Sequence, residues 1–76
     1  MVKIYSTPTC SFCHAEKEFL KERGIEFQEL DVFSDPKARE EMINKTGQLG
    51  VPVTDIDGKI VVGFDRAKIL QLLGLK

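Results

Sequence analysis

The segment Thr9-Cys10-Ser11-Phe12-Cys13-His14 holds both cysteines of this 76-residue chain and lies between a strand pattern and a helix pattern. Two cysteines three residues apart in the first turn of a helix lie on one side of it, with backbones close enough for a disulfide. The ring that such a disulfide closes is very small, so it removes little entropy from the unfolded chain. We therefore interpret the pair as a reversible dithiol.

The residues on either side of the cysteine pair predict a β-α-β unit. Residues 2–5 alternate as a short strand, and Pro8 prevents a helix from beginning much earlier than the cysteines. A helix is predicted over residues 11–23 and is stopped by Gly24. A second strand is predicted over residues 27–32. A Cys-x-x-Cys pair beside such a unit is typical of a thioredoxin-like redox motif.

The first predicted helix is amphipathic. Its apolar stripe consists of Phe12, Ala15 and Phe19, and Glu16 is assigned to the polar side. The stripe leaves two interpretations of Phe12 open: it is part of the core, or it offers an apolar surface beside the sulfurs for a docking partner. His14 is likewise either a cation that tunes the thiols or an ordinary solvated residue.

The second half of the chain predicts a helix that begins at Asp35-Pro36, with the aspartate as N-cap and the proline at the first helical position. This helix ends near Thr46-Gly47. Its inward-facing residues are predicted to be Ala38, Met42 and Ile43.

A β-hairpin and a last helix complete the predicted elements. Strands over residues 51–56 and 59–62 flank Asp57-Gly58, a strong hairpin turn signal. Asp65 is the predicted N-cap of the last helix, which Gly74 ends. Its inward-facing residues are predicted to be Ile69, Leu70 and Leu73. The predicted order β-α-β-α-β-β-α belongs to the α/β class, with helices on both faces of a four-stranded mixed sheet.

Composition and charge limit the possible functions. With 11 basic and 12 acidic residues and a net charge of −1, the chain has no basic stripe for nucleic acid. No apolar run reaches the length of a membrane span, and the first residues lack a signal-peptide pattern. We expect one domain over residues 1–76, a monomer, and a cytoplasmic location where cysteines stay reduced.

The two cysteines are predicted to have different roles. The thiolate is the reactive form of cysteine, and a helix start stabilises negative charge. Cys10, at the helix start and more exposed, is assigned as the nucleophile that forms a mixed disulfide with substrate. Cys13, about one turn deeper, is assigned as the resolving cysteine that releases reduced substrate. The competing interpretation is a pair of ordinary buried cysteines.

A metal centre is not predicted. A closed tetrahedral zinc site needs four protein ligands, and the motif offers only Cys10, Cys13 and His14. An iron–sulfur cluster bridging two subunits needs additional ligands as well. No tightly bound cofactor is expected.

Three motifs together resemble the glutaredoxins and the related NrdH-type redoxins. They are the segment from Ile4 to Cys13, the dipeptide Val51-Pro52, and Gly63-Phe64-Asp65. The resemblance covers essentially the whole chain. It implies a thioredoxin fold with strand order 2-1-3-4.

The resemblance also implies how substrate is bound. It makes Pro52 a cis-proline facing the dithiol and leaves the backbone of Val51 free to pair with a substrate peptide or with glutathione. It places residues 63–66 over the site, where the helix start at Asp65 and Arg66 presents N–H groups to a carboxylate. The candidate substrate-binding residues are Thr7, Pro8, Ser11, Phe12, Val51, Pro52, Gly63, Phe64, Asp65 and Arg66.

Several positions depart from the pattern of glutaredoxins that use glutathione. Such proteins usually carry a lysine at Thr7, a threonine at Gly50, a Gly-Gly pair at Val62-Gly63 and a second acidic residue at Arg66. The missing lysine removes a charge partner for a glutathione carboxylate, although Arg66 could supply one from the other side. NrdH-type redoxins typically carry Ser-Gly-Phe-Arg-Pro in the last motif, which this chain matches only in part.

The resemblance implies a thiol-disulfide oxidoreductase that carries electrons to protein disulfides. The expected reductant is a flavoprotein of the thioredoxin-reductase type, with glutathione as the alternative. Ribonucleotide reductase or a peroxidase is a plausible acceptor. Two further alternatives are a dimeric, glutathione-coordinated iron–sulfur carrier and a structural domain that has lost its activity.

Overall fold

A computed structural model describes residues 1–74 of the chain. Its elements are β1 (Val2–Ser6), α1 (Ser11–Glu22), β2 (Gln28–Asp31), α2 (Pro36–Thr46), β3 (Val53–Ile56), β4 (Lys59–Val62) and α3 (Arg66–Leu73). The sheet order is β2-β1-β3-β4, with β1 parallel to β2 and the other two pairs antiparallel. This confirms the predicted element order and the mixed sheet of a thioredoxin fold. The predicted domain extends to Leu75 and Lys76, which lie outside the described residues, and it stays a prediction.

The sheet has a buried cluster on each face, because successive residues of a strand point to opposite sides. Ile4 of β1 joins the cluster that contains Leu20 of α1 and Ile69 of α3. Tyr5, the next residue, joins the cluster that contains Met42 of α2. Helices α1 and α3 therefore cover one face and α2 covers the other.

The predicted apolar stripe of α1 is wrong by about one residue position. Phe12 is 66% exposed and Ala15 is also exposed, whereas Phe19 is buried as predicted. The helix buries Cys13, Glu16, Phe19 and Leu20. The positions of the apolar side chains therefore predict the wrong face of α1. The face that is buried includes a charged residue, Glu16, whose hydrogen-bond partner lies on the sheet.

Helix α2 begins and ends as predicted, but one of its inward-facing residues does not. The Asp35 carboxylate accepts hydrogen bonds from the backbone N–H of Lys37 at 3.0 Å and of Ala38 at 3.3 Å. Met42 is fully buried, whereas the Ile43 side chain is 39% exposed. Ala38 and Met42 are four residues apart and share a face, and Ile43 lies about 100° further around the helix.

The hairpin and the last helix follow the prediction, except that β3 begins at Val53 and not at residue 51. Proline has no backbone N–H to donate, so Pro52 precedes the strand. Asp57 (φ 52°) and Gly58 (φ 90°) both have positive φ, as the tight hairpin turn between β3 and β4 requires. In α3, Ile69 is buried, and Leu70 and Leu73 pack against the core while remaining partly exposed.

A polar network that the sequence analysis missed joins α2 to the sheet. The Tyr5 hydroxyl donates to Glu41 at 2.5 Å, and Lys45 Nζ donates to the Tyr5 oxygen at 2.9 Å and to Asp55 at 2.5 Å. Its hydrogen bonds to Asp55 and Tyr5 raise the pKa of Lys45. The network satisfies a buried hydroxyl and holds α2 against β1 and β3.

Met42 and its neighbour Ile43 provide a stability test of this arrangement. Met42→Ala should lower the free energy of unfolding by about 2–5 kcal/mol, because it opens a cavity in a fully buried site. Ile43→Ala should cost less than half as much, since much of that side chain is already in water. Urea denaturation of both variants measures the difference, and equal losses would contradict the assigned face of α2.

Candidate active site

The sulfur of Cys10 lies at the N-terminus of α1. Cys10 is the N-cap, with extended backbone (φ −88°, ψ 111°), and its Sγ accepts the backbone N–H of Cys13 at 3.1 Å. The first turn of α1 contains no acidic residue, so no carboxylate of that turn competes for the positive end of the helix dipole. The helix thus directs its first N–H groups and its dipole at this sulfur.

Cys13 occupies a different environment one turn deeper. Its side chain is fully buried, whereas Cys10 is partly exposed. Burial, followed by the hydrogen bond with Cys10, raises the pKa of the Cys13 thiol to about 12. At pH 7 such a thiol is almost entirely protonated. Cys13 therefore holds its proton when the dithiol is at rest.

The sheet register brings the three sequence motifs to one edge. Tyr5 pairs with Val53, and Val53 pairs with Val62, so the chain leaving β1, the chain entering β3 and the chain leaving β4 meet there. The Val51–Pro52 peptide bond is cis, as the resemblance implied. The backbone N–H of Gly63 donates to the Pro52 carbonyl at 2.8 Å and ties the second motif to the third.

The candidate substrate-binding residues differ in their access to solvent. In the segment before α1, the Thr7 carbonyl accepts the Cys10 N–H at 3.3 Å. Phe12 is exposed beside the dithiol, which excludes its interpretation as a core residue. The exposed candidates are Pro8, Ser11, Phe12, Asp65 and Arg66, the partly exposed ones are Thr7, Val51, Gly63 and Phe64, and Pro52 is buried.

The third motif packs against the outer part of α1. Asp65 is the N-cap of α3 and accepts the Lys68 N–H at 3.1 Å. The Phe64 ring meets the Phe19 ring edge-on at 5.5 Å, and the Arg66 guanidinium lies 5.1 Å from the centre of the Phe19 ring.

Phe19, Phe64 and Arg66 also line an open groove of about 330 Å³ between α1 and the start of α3. Two carboxylates, Glu18 and Glu22, line it together with Arg66. The acidic groups outnumber the single cation, so this groove is poorly suited to a dianionic ligand.

A buried carboxyl group beneath the dithiol is the main feature that the sequence analysis missed. Glu16 is fully buried; Thr54 Oγ1 donates a hydrogen bond to its Oε2, and its Oε1 has no partner among residues 1–74. Burial raises the pKa of Glu16, and the Thr54 hydrogen bond offsets part of that effect. The spacing of Cys13, Glu16 and Leu20 on one helix face was the available signal.

Other kinds of site are absent from the described part of the chain. Residues 1–74 contain no group of three or more histidine, cysteine or acidic side chains arranged to hold a metal ion. None of the helices in this range combines the length and the apolar character needed to cross a bilayer.

A glutaredoxin family model matches residues 2–61, which include both cysteines and the cis-proline. The chain belongs to the glutaredoxin family. Family membership and the thioredoxin fold together support a thiol-disulfide oxidoreductase.

Individual relatives agree with this assignment. A glutaredoxin-like 8.6 kDa protein of the rubredoxin operon of Clostridium pasteurianum is 52% identical over 73 residues, which is 96% of this chain and 97% of the relative. The crystal structure of a variant of a thioredoxin-like protein superposes with a TM-score of 0.93 at 35% identity, covering 99% of this chain and 96% of the other. NrdH-redoxin of Escherichia coli, described as glutaredoxin-like with a thioredoxin-like activity profile, has a TM-score of 0.81 at 30% identity, with 93% and 92% covered.

The raised pKa of Glu16 predicts a pH-dependent stability difference. The folded protein binds the Glu16 proton more tightly than the unfolded chain, where the pKa is near 4.5. Stability from this group is therefore present at low pH and is lost as pH rises above 4.5 through the raised pKa. Relative to Glu16→Gln, the wild type should lose stability as the pH rises from about 4 through the raised pKa of Glu16. Urea denaturation across this range checks the trend, and the exposed Glu18→Gln should show a much flatter difference.

Proposed function

We propose that this glutaredoxin-family protein carries electrons to protein disulfides through Cys10 and Cys13. The observation that carries the proposal is the difference between the two sulfurs. Cys10 is partly exposed at a helix N-terminus, and Cys13 is fully buried with a raised pKa. One sulfur is therefore accessible for attack, and the other is held back until a mixed disulfide has formed.

The first step is attack on the substrate disulfide. The Cys10 thiolate bonds to one substrate sulfur and the second substrate sulfur leaves as a thiolate, which takes up a proton. The product is a mixed disulfide between Cys10 and the substrate. The exposed Phe12 ring supplies an apolar contact beside the reacting sulfur for a protein substrate.

The second step releases the substrate. Cys13 loses its proton and attacks Cys10 Sγ, and the bound substrate leaves as a second thiolate. The protein is then oxidised to the Cys10–Cys13 disulfide, and the substrate has gained two electrons. The cis Val51–Pro52 bond at the same edge supports a role for the Val51 backbone in holding an extended substrate segment.

A thioredoxin-reductase-type flavoprotein is the proposed electron donor. The groove beside α3 offers Arg66 as its single cation against Glu18 and Glu22, so it disfavours glutathione, a net anion that carries two carboxylates and one ammonium group. Thr7, in the segment before the dithiol, supplies no positive charge for one of them. The structural likeness to NrdH-redoxin, with its thioredoxin-like activity profile, supports the same choice.

Several broader assignments belong to the same proposal. We place the protein in the cytoplasm, where dithiols are kept reduced, as a monomeric single domain over residues 1–76. Ribonucleotide reductase and thiol-dependent peroxidases are suitable acceptors because each must be reduced again after every turnover.

Two coupled assays test the donor. The reduced protein is supplied with a disulfide substrate and NADPH, with thioredoxin reductase in one system and glutathione plus glutathione reductase in the other. We expect NADPH oxidation that depends on this protein in the first system and little in the second. Turnover confined to the glutathione system would reject the proposed donor and favour a glutathione-dependent glutaredoxin.

Two cysteine variants test the assigned roles in the same assays. Cys10→Ser should abolish turnover, because it removes the accessible sulfur. Cys13→Ser should keep the first attack and accumulate a mixed disulfide, which mass spectrometry detects as the added mass of one substrate thiol. If Cys10→Ser retained turnover, or if Cys13→Ser formed no adduct, the role assigned to that cysteine would be wrong.

A further inference from the structure

Glu16 lies one helical turn beyond the resolving cysteine on the buried face of α1. Residues three apart in a helix share a face, and both side chains are fully buried. Thr54 Oγ1 donates to one carboxyl oxygen, and the other oxygen has no hydrogen-bond partner among residues 1–74. A buried carboxyl oxygen without a partner is costly, so its presence on the same buried helix face as a reacting cysteine points to a use.

Two charged groups on this side of the sheet have partners away from Glu16. Lys17 forms an ion pair with Glu29 of β2 at 2.6 Å at the solvent edge, and Arg66 of α3 lies over the Phe19 ring. Among the described residues, these charges do not contribute to the pKa shift of Glu16.

The remaining elements add no further titratable partner to Glu16 within the described chain. Asp55 lies next to Thr54 in β3 but pairs with Lys45 of α2 on the opposite face. The facing groups from β1 and β4 are Ile4 and Val61, which pair with Thr54 in the sheet. Cys13 is the other ionisable group on the buried face of α1, three residues before Glu16.

We propose that Glu16 is the proton acceptor for Cys13 in the resolving step. The inference deepens the proposed function and rests on it, because it assumes that Cys13 resolves the mixed disulfide. Cys13 must lose its proton to attack. Because the side chain is buried, transfer of this proton to bulk water would leave an unfavourable buried thiolate. A carboxylate in the same buried region can take up that proton. It becomes neutral as the Cys13 thiolate forms, so the number of charges in the buried region does not rise.

The step balances in protons and electrons. Cys13 and Glu16 are not hydrogen-bonded to each other in the described structure, so the proton passes from Cys13 Sγ to the Glu16 carboxylate through one bridging water molecule. The Cys13 thiolate then attacks Cys10 Sγ. The substrate sulfur leaves with the bonding electron pair, and Glu16 then releases its proton to solvent. In the reverse direction, the protonated Glu16 returns a proton to Cys13 as the disulfide is reduced. The burial-raised pKa of Glu16 makes it a stronger base than an exposed carboxylate.

Rapid mixing with one equivalent of dithiobis(nitrobenzoate) separates the two thiol steps. Attack by Cys10 releases one coloured thiolate, and resolution by Cys13 releases a second. In Glu16→Gln at pH 7, we expect an unchanged first phase and a second phase slowed about 10²-fold, at the lower end of general-base effects. Glu16→Asp, which keeps a carboxylate, should restore part of the rate, and the exposed Glu18→Gln should match the wild type.

The pH profile of the second phase distinguishes proton transfer from a structural role. In the wild type, the rate should level off above the pKa of Glu16. In Glu16→Gln it should keep rising by about tenfold per pH unit, because Cys13 ionisation alone then sets the rate. A carboxylate that only repels the Cys13 thiolate would raise the Cys13 pKa, so its removal would speed up the second phase. A second phase in Glu16→Gln that is unchanged or faster would therefore overturn the proposal.

The same traces separate failure of this inference from failure of the proposed function. Absence of the first phase in Cys10→Ser, and of the second in Cys13→Ser, would uphold the cysteine roles independently of Glu16. If Cys13→Ser still gave both phases, the proposed function itself would fail.

Discussion

The hydrogen bond from the Cys13 backbone N–H to Cys10 Sγ is the contact on which the site depends. It makes a sulfur the N-cap of α1, so the beginning of the helix and the position of the nucleophile are fixed together. Because the helix begins there, Cys13 falls on its buried face one turn later, close to Glu16. One capping interaction thus places an accessible sulfur, a buried sulfur and a buried carboxyl group in sequence along the helix.

Strand pairing in the sheet brings the other parts of the site to the dithiol. Parallel pairing of β1 with β2 requires a crossover, and α1 is that crossover, so the dithiol lies where β1 ends. Antiparallel pairing of β3 with β1 and β4 brings the cis-proline segment and Gly63 to the same edge. The Tyr5–Lys45–Asp55 network anchors α2 on the opposite face and leaves the active edge free.

The sequence predicted the element order, the caps at Asp35 and Asp65 and the Asp57-Gly58 turn, because each depends on local backbone chemistry. It failed where the outcome depends on a distant partner. The sequence pattern assigns Glu16 to the polar side of α1, because charged residues are normally excluded from the core. The structure buries Glu16 because Thr54, 38 residues away, donates a hydrogen bond to its carboxyl group. The sequence allows both a core position and an exposed position for Phe12, because the pattern around an aromatic residue does not distinguish the two.

Cys10 is accessible to solvent and Cys13 is buried, and partial alkylation tests this difference most directly. The reduced, folded protein is treated with limiting iodoacetamide at pH 7, and the modified residue is located by peptide mass spectrometry. We expect carbamidomethylation at Cys10 with Cys13 almost unmodified, and similar labelling of both residues once the protein is unfolded in urea. Preferential labelling of Cys13, or equal labelling of both in the folded state, would contradict this expectation.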